Sequence, residues 1–129
     1  MEFLLSLVIA HTAVAYAPTH EEVETKEKGI KEILVEELGP NHPLIEVARC
    51  ESGFRQFENG NPLKSHYGTE DYGVFQINAT YHLKNSKKMG IDIMTVEGNL
   101  AYARYLYEKN GLRDWKPSES CWGKLTTTK

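Results

Sequence analysis

Two cysteines constrain this chain more than any other feature. Cys50 and Cys121 form an even pair, and the segment ahead of them reads as an export signal. Phe3 to Ala10 is a short apolar run, followed by the small-x-small patterns Ala13-Val14-Ala15 and Ala15-Tyr16-Ala17. The run falls short of the about 20 apolar residues that cross a bilayer. No Lys or Arg precedes it, only Glu2, so a buried helix or an uncleaved anchor stays open as an alternative. In an exported chain an even pair of cysteines is by default a disulfide. Closing a loop of about 70 residues would stabilise the fold by roughly 4 kcal/mol on chain-entropy grounds. The paired spacing of a zinc site is missing.

With 129 residues the chain holds one domain and one core. Formal charge is −3 and unevenly spread. Residues 18–38 carry seven acids against three lysines, whereas residues 39–129 carry twelve Lys or Arg against ten acids. A balance that mild argues against nucleic acid as a partner. The expected layout is a signal peptide over 1–17, an acidic leader or helix over 18–41, a folded domain over 42–123 and a flexible tail over 124–129.

Helical spacing of Ile30, Ile33, Leu34 and Leu38 predicts a helix over 20–38, stopped by Gly39-Pro40. Its polar first half reads equally as a linker. A second helix should start near Pro43 and end at Gly53, with Leu44, Val47 and Ala48 as its apolar stripe. Residues 54–71, with Asn59-Gly60-Asn61-Pro62, read as loop with room for a small hairpin. Asp71 to Asn78 reads as an extended segment or a turn into a helix. Residues 79–89 and about 95–109 read as helices closed by Gly90 and Gly111, and Trp115 to Gly123 as a loop pinned by Cys121. The fold class is therefore mainly α, a small helical domain with a loop or hairpin lobe.

Glu51 carries the most chemical information. It follows Leu44, Val47 and Ala48 by seven, four and three residues, which puts it on the apolar face of its helix. It also sits in the last turn, where the helix dipole opposes a negative charge. Both effects favour the protonated form, which a general acid needs near neutral pH. The bland alternative is a carboxylate turned outward or paired with Arg49 or Arg55. Asp71 lies twenty residues on, at the end of a polar loop that can fold back towards the helix. One carboxyl in apolar and one in wet surroundings is the arrangement of glycoside hydrolysis. By itself, Asp71, beside Glu70, reads first as a turn cap ahead of Tyr72-Gly73.

Glu51-Ser52-Gly53-Phe54, followed by Asp71-Tyr72-Gly73-Val74-Phe75-Gln76-Ile77-Asn78, resembles the active-site signature of the lysozyme-like superfamily. The second run is similar to that of c-type lysozymes, and the first to both these and the SLT-type lytic transglycosylases. The transglycosylases also carry a later helix with an Asn followed by Tyr-Leu, matched by Asn99 and Tyr105-Leu106. Cys50 directly before Glu51, and Cys121 shortly after Trp115, are similar to the bonded cysteine pair of resuscitation-promoting factors. The resemblance covers roughly residues 42–123.

It implies an α+β lysozyme-like fold around a groove that binds peptidoglycan glycan strands. Glu51 would be the catalytic acid and Asp71 a second catalytic carboxylate. Gln76, Asn78, Tyr72, Asn99 and Tyr105 would contact substrate. Tyr67, Tyr72, Tyr102, Tyr105, Tyr107, Trp115 and Trp122 could supply faces on which sugar rings stack, although aromatics at helical spacing more often join a core. The implied activity is cleavage of the β-1,4 bond by a secreted, periplasmic or cell-wall-associated monomer, without cofactor, metal or lasting membrane insertion. A lytic transglycosylase and a muramidase both fit, and a catalytically silent glycan-binding domain is the alternative of another class. The chain departs from many lytic transglycosylases in lacking an Ala-Tyr-Asn-Ala-Gly run, for whose Tyr the candidate substitutes are Tyr102 and Tyr105. It departs from c-type lysozymes in lacking their four disulfides.

Overall fold

A computed structural model describes residues 28–125. The signal-peptide reading, the first part of the acidic leader and residues 126–129 lie outside them. Helix α1 runs Ile30–Leu38 and buries Leu34, while Lys28 and Gly29 precede it without helical structure. Helix α2 runs Pro43–Ser52. Pro43 supplies a preset φ at its first position, and His42 caps it by accepting from the Leu44 N–H at 3.1 Å. Gly53 ends it in the left-handed region (φ 61°), its N–H returning to the carbonyls of Ala48 and Arg49.

Two antiparallel hairpins follow, so the domain is mainly α with two small sheets. In the first, β1 (Phe57–Glu58) pairs with β2 (Asn61–Pro62). The two-residue turn is Asn59-Gly60, both at positive φ (51° and 78°), as a right-twisted hairpin requires. In the second, β3 (Asp71–Tyr72) pairs with β4 (Ile77–Asn78), with Asp71 opposite Asn78 and Tyr72 opposite Ile77. The tip of this second hairpin turns inward, and Val74 and Phe75 are fully buried in the core. An inward tip must satisfy its backbone groups without water. Gln56 Oε1 accepts from the Val74 N–H (3.0 Å), and Asn99 Oδ1 from the Phe75 N–H (2.8 Å). Asn99 Nδ2 donates to the carbonyls of Tyr72 and Ile93, and Trp115 Nε1 to that of Phe75 (2.9 Å). Gly73, at φ 77°, is required here because a Cβ would collide with the amides of Gln56 and Asn99.

Helix α3 (Ala79–Lys88) is capped by Asn78, and α4 (Val96–Asn110) by Thr95. Leu100, Tyr102, Ala103 and Leu106 of α4 pack with Leu44, Val47 and Ala48 of α2 around the hairpin tip. Asp71 to Asn78, expected as an extended segment or a turn into a helix, is extended at both ends, folded on itself by the amide clamps, and leads directly into α3 through the Asn78 cap. The C-terminal expectations change. Trp115 to Gly123 is not a loop. A 3-10 helix (Arg113–Ser118) runs into α5 (Glu119–Trp122), and a 3-10 turn continues over Gly123–Leu125, where a tail was expected from residue 124. Burial of Trp115 and Trp122 and the Cys50–Cys121 disulfide (Cα–Cα 6.0 Å) draw this segment against α2. Among the described residues, no helix is long and apolar enough to cross a membrane.

Candidate active site

Glu51 stands in the last turn of α2, half-buried, on the wall of a cleft of about 580 Å³. Opposite elements complete the walls: Leu63 to Tyr67 from the loop after β2, Asp71 and Gln76 from the second hairpin, and Asp114, Trp115, Pro117 and Ser118 from the 3-10 helix. A second hollow of about 490 Å³ continues from it, sharing Asp71, Gln76, Asp114, Trp115 and Pro117 and adding Asn78, Tyr81 and His82. Together they form an open groove with Asp71 and Gln76 near its middle.

Burial pushes the Glu51 carboxyl above the ordinary range. A hydrogen bond from the Ser118 hydroxyl to Oε1 (2.6 Å) opposes this, and the charge of Asp71 adds to it. Neither arginine of the bland reading pairs with Glu51. Arg49 bonds Glu46 (2.9 Å), and Arg55 holds the Ser52 carbonyl and faces Glu58. Asp71 accepts from the Thr69 hydroxyl and from Asn78 Nδ2 (2.8 Å), which aims its carboxylate from the open end of the hairpin. A half-buried acid whose proton is favoured and a second, hydrogen-bonded carboxylate therefore share one groove.

The remaining candidates divide. Gln76 lines the groove at positive φ (49°), its amide nitrogen on the carbonyls of Gly73 and Leu63. Strained backbone of this kind tends to gather at functional sites. Asn78 also reaches the groove, though its amide is committed to Asp71 and to the α3 cap. Tyr72 turns its hydroxyl to Glu70 (2.6 Å). Asn99 does not reach the groove: it is fully buried, and its amide is spent on backbone groups. Tyr105 lies elsewhere too, lining a hollow with Ile33, Leu100 and Arg104. Tyr102 is buried with its hydroxyl near His82 Nδ1 (3.0 Å), so neither tyrosine stands beside Glu51.

Sequence reasoning missed Ser118 and Tyr81. Ser118 is 67 positions from Glu51. The available signal was the disulfide, because Ser118 lies one helical turn before Cys121 and Glu51 directly follows Cys50. Tyr81 and Tyr67 are 79% and 94% exposed and line the two hollows, an unusual position for large aromatic surface. Among the described residues, no three His, Cys, Asp or Glu side chains gather as a metal site. No family model, curated protein or solved structure matches the chain.

Proposed function

We propose that the protein is a secreted, lysozyme-like glycosidase that cleaves the β-1,4 bond between N-acetylmuramic acid and N-acetylglucosamine in peptidoglycan, as a lytic transglycosylase. The observation that carries the reading is Glu51 itself, a carboxyl whose protonated form burial favours, on the wall of an open groove and paired with neither Arg49 nor Arg55. An open groove suits a polymer, which must pass through the site at both ends. Protonated Glu51 gives its proton to the leaving glycosidic oxygen as the C1–O bond breaks. The muramoyl 6-hydroxyl then bonds to C1 and returns its proton to Glu51, leaving a 1,6-anhydro end. Gln76 stands within the groove as an amide suited to sugar hydroxyl and N-acetyl groups.

Asp71 favours a second reading, a muramidase in which water replaces the 6-hydroxyl. Its carboxylate lines the same groove and its charge is felt at Glu51, as a retaining pair would require. Turbidity clearing of purified cell walls, with mass spectrometry of the products, tests both. The expected result is 1,6-anhydromuramoyl ends from the wild type and a loss of at least about 10²-fold in Glu51→Gln. Asp71→Asn should lose less. Reducing-end muramic acid alone, with Asp71→Asn as inactive as Glu51→Gln, selects the muramidase. A folded wild type that binds walls without cutting them leaves the glycan-binding domain.

A further inference from the structure

The Ser118 hydroxyl has three polar neighbours, and their chemistry fixes most of its hydrogen bonding. Its oxygen lies 2.6 Å from Glu51 Oε1, 3.0 Å from the Trp115 carbonyl and 3.1 Å from Trp122 Nε1. An indole N–H only donates and a carbonyl only accepts, while a hydroxyl has one hydrogen and two lone pairs. The single Trp122 N–H can therefore serve the Ser118 oxygen or the Trp115 carbonyl, which lie at the same 3.1 Å from it. The single hydroxyl hydrogen can go to Glu51 or to Trp115, not to both.

Which one it serves depends on Glu51. An ionised carboxylate accepts only, so the hydroxyl must turn to it. A protonated carboxyl can itself donate to the Ser118 oxygen, and the hydroxyl then turns to the Trp115 carbonyl. In the first state that carbonyl keeps Trp122 Nε1 (3.1 Å) as a donor, so neither state leaves a buried group unmatched. We propose that Ser118 is a positioning residue for the Glu51 acid, its hydrogen alternating between the Glu51 carboxylate and the Trp115 carbonyl as Glu51 loses and regains its proton. The proposal rests on the reading of Glu51 as an acid that later acts as base, since that cycle requires both states to be held in one place. The other charged groups on the cleft are Asp71 from the second hairpin, Asp114 from the 3-10 helix, Arg55 after α2, and Lys64 and His66 from the loop after β2. Arg49 of α2 is paired with Glu46. None changes in a Ser118 variant, so wild type against variant isolates the hydroxyl.

The experiment follows the Glu51 side-chain carboxyl and the Trp115 backbone carbonyl by ¹³C NMR in a pH titration of the labelled full chain, with Glu51→Gln assigning the first. In the wild type the Trp115 carbonyl should move with the same midpoint as Glu51. In Ser118→Ala the Glu51 midpoint should rise and the Trp115 response disappear, and Ser118→Thr should restore both. Trp122 Nε1 retains the Trp115 carbonyl in the alanine variant, so folding is expected; wild type and Glu51→Gln decide the matter even without it. A Trp115 carbonyl that shows no inflection, or one whose inflection survives in Glu51→Gln or Ser118→Ala, overturns the proposal. Wall cleavage on the same samples should fall about tenfold to hundredfold in the alanine variant and little in the threonine one. A wild type that fails to cleave refutes the enzymatic reading, whereas an active enzyme with uncoupled titrations refutes the role of Ser118 alone.

Discussion

Replacing Asn99 by Leu tests whether the inward hairpin stands on its amide clamp. Leucine keeps the branched shape and heavy-atom count of asparagine but is apolar, so the change chiefly removes hydrogen bonds. The Phe75 N–H, deep in the core, loses its acceptor (2.8 Å), and the half-buried Tyr72 carbonyl loses a donor (2.8 Å). The Ile93 carbonyl keeps Gln56 Nε2 at 3.3 Å and is partly spared. The orphaned Phe75 N–H costs about 1–3 kcal/mol and the Tyr72 carbonyl, which keeps Ile77 opposite it in the hairpin, costs less, so the variant should lose about 1–4 kcal/mol. That is an appreciable part of the about 5–15 kcal/mol that holds a domain together. Urea unfolding should show a lower midpoint at an unchanged slope. Asn99→Asp keeps the acceptor for Phe75 but turns an oxygen towards the Tyr72 and Ile93 carbonyls. Its buried carboxyl would be held above the ordinary range, so this variant should gain stability as pH falls. A loss under about 1 kcal/mol in the leucine variant would show that packing of Val74 and Phe75 alone holds the hairpin, and would refute the reasoning.

Glu51→Gln should be more stable relative to wild type at pH 7 than at pH 4. The wild-type carboxyl is raised in the fold, so its unfolded form releases the proton first and stability is lost as pH climbs through the folded value; thermal melts at the two pH values check the sign. Wall cleavage should decline over the same upper range, as the acid loses its proton. Removing the Cys50–Cys121 disulfide, which closes a separation of 71 residues, should cost roughly 4 kcal/mol in denaturant unfolding, and thiol titration of the denatured, unreduced wild type should find no free thiol. Tyr67→Ala and Tyr81→Ala should raise the KM for wall fragments severalfold by loss of ring stacking, with melting temperatures unchanged because both side chains are exposed.

Local signals were legible wherever a few neighbouring residues decide the outcome. Pro43 and Gly53 marked the ends of α2, and the spacing of Leu44, Val47 and Ala48 showed that Glu51 faces inward. Asn59-Gly60 marked a tight turn whose positive φ angles few other residues tolerate. The cysteine pair was legible as a bond because an even pair, in a chain whose start reads as an export signal, is by default a disulfide.

What Glu51 and Asn99 meet was decided by the tertiary structure. Periodicity tells that a position points inward, but it carries no information about the groups waiting there. Asn99 reads from sequence as a ligand contact, yet its amide is consumed by the backbone of a hairpin 24 to 27 positions away. Ser118 comes to Glu51 because two tryptophans and a disulfide wind residues 113–122 against α2. A short 3-10 helix kinked at Trp115 has too few turns to print a hydrophobic period on its sequence. The acid is thus written locally in α2, whereas the hydroxyl that holds it is brought by chain closure, a property of the whole fold.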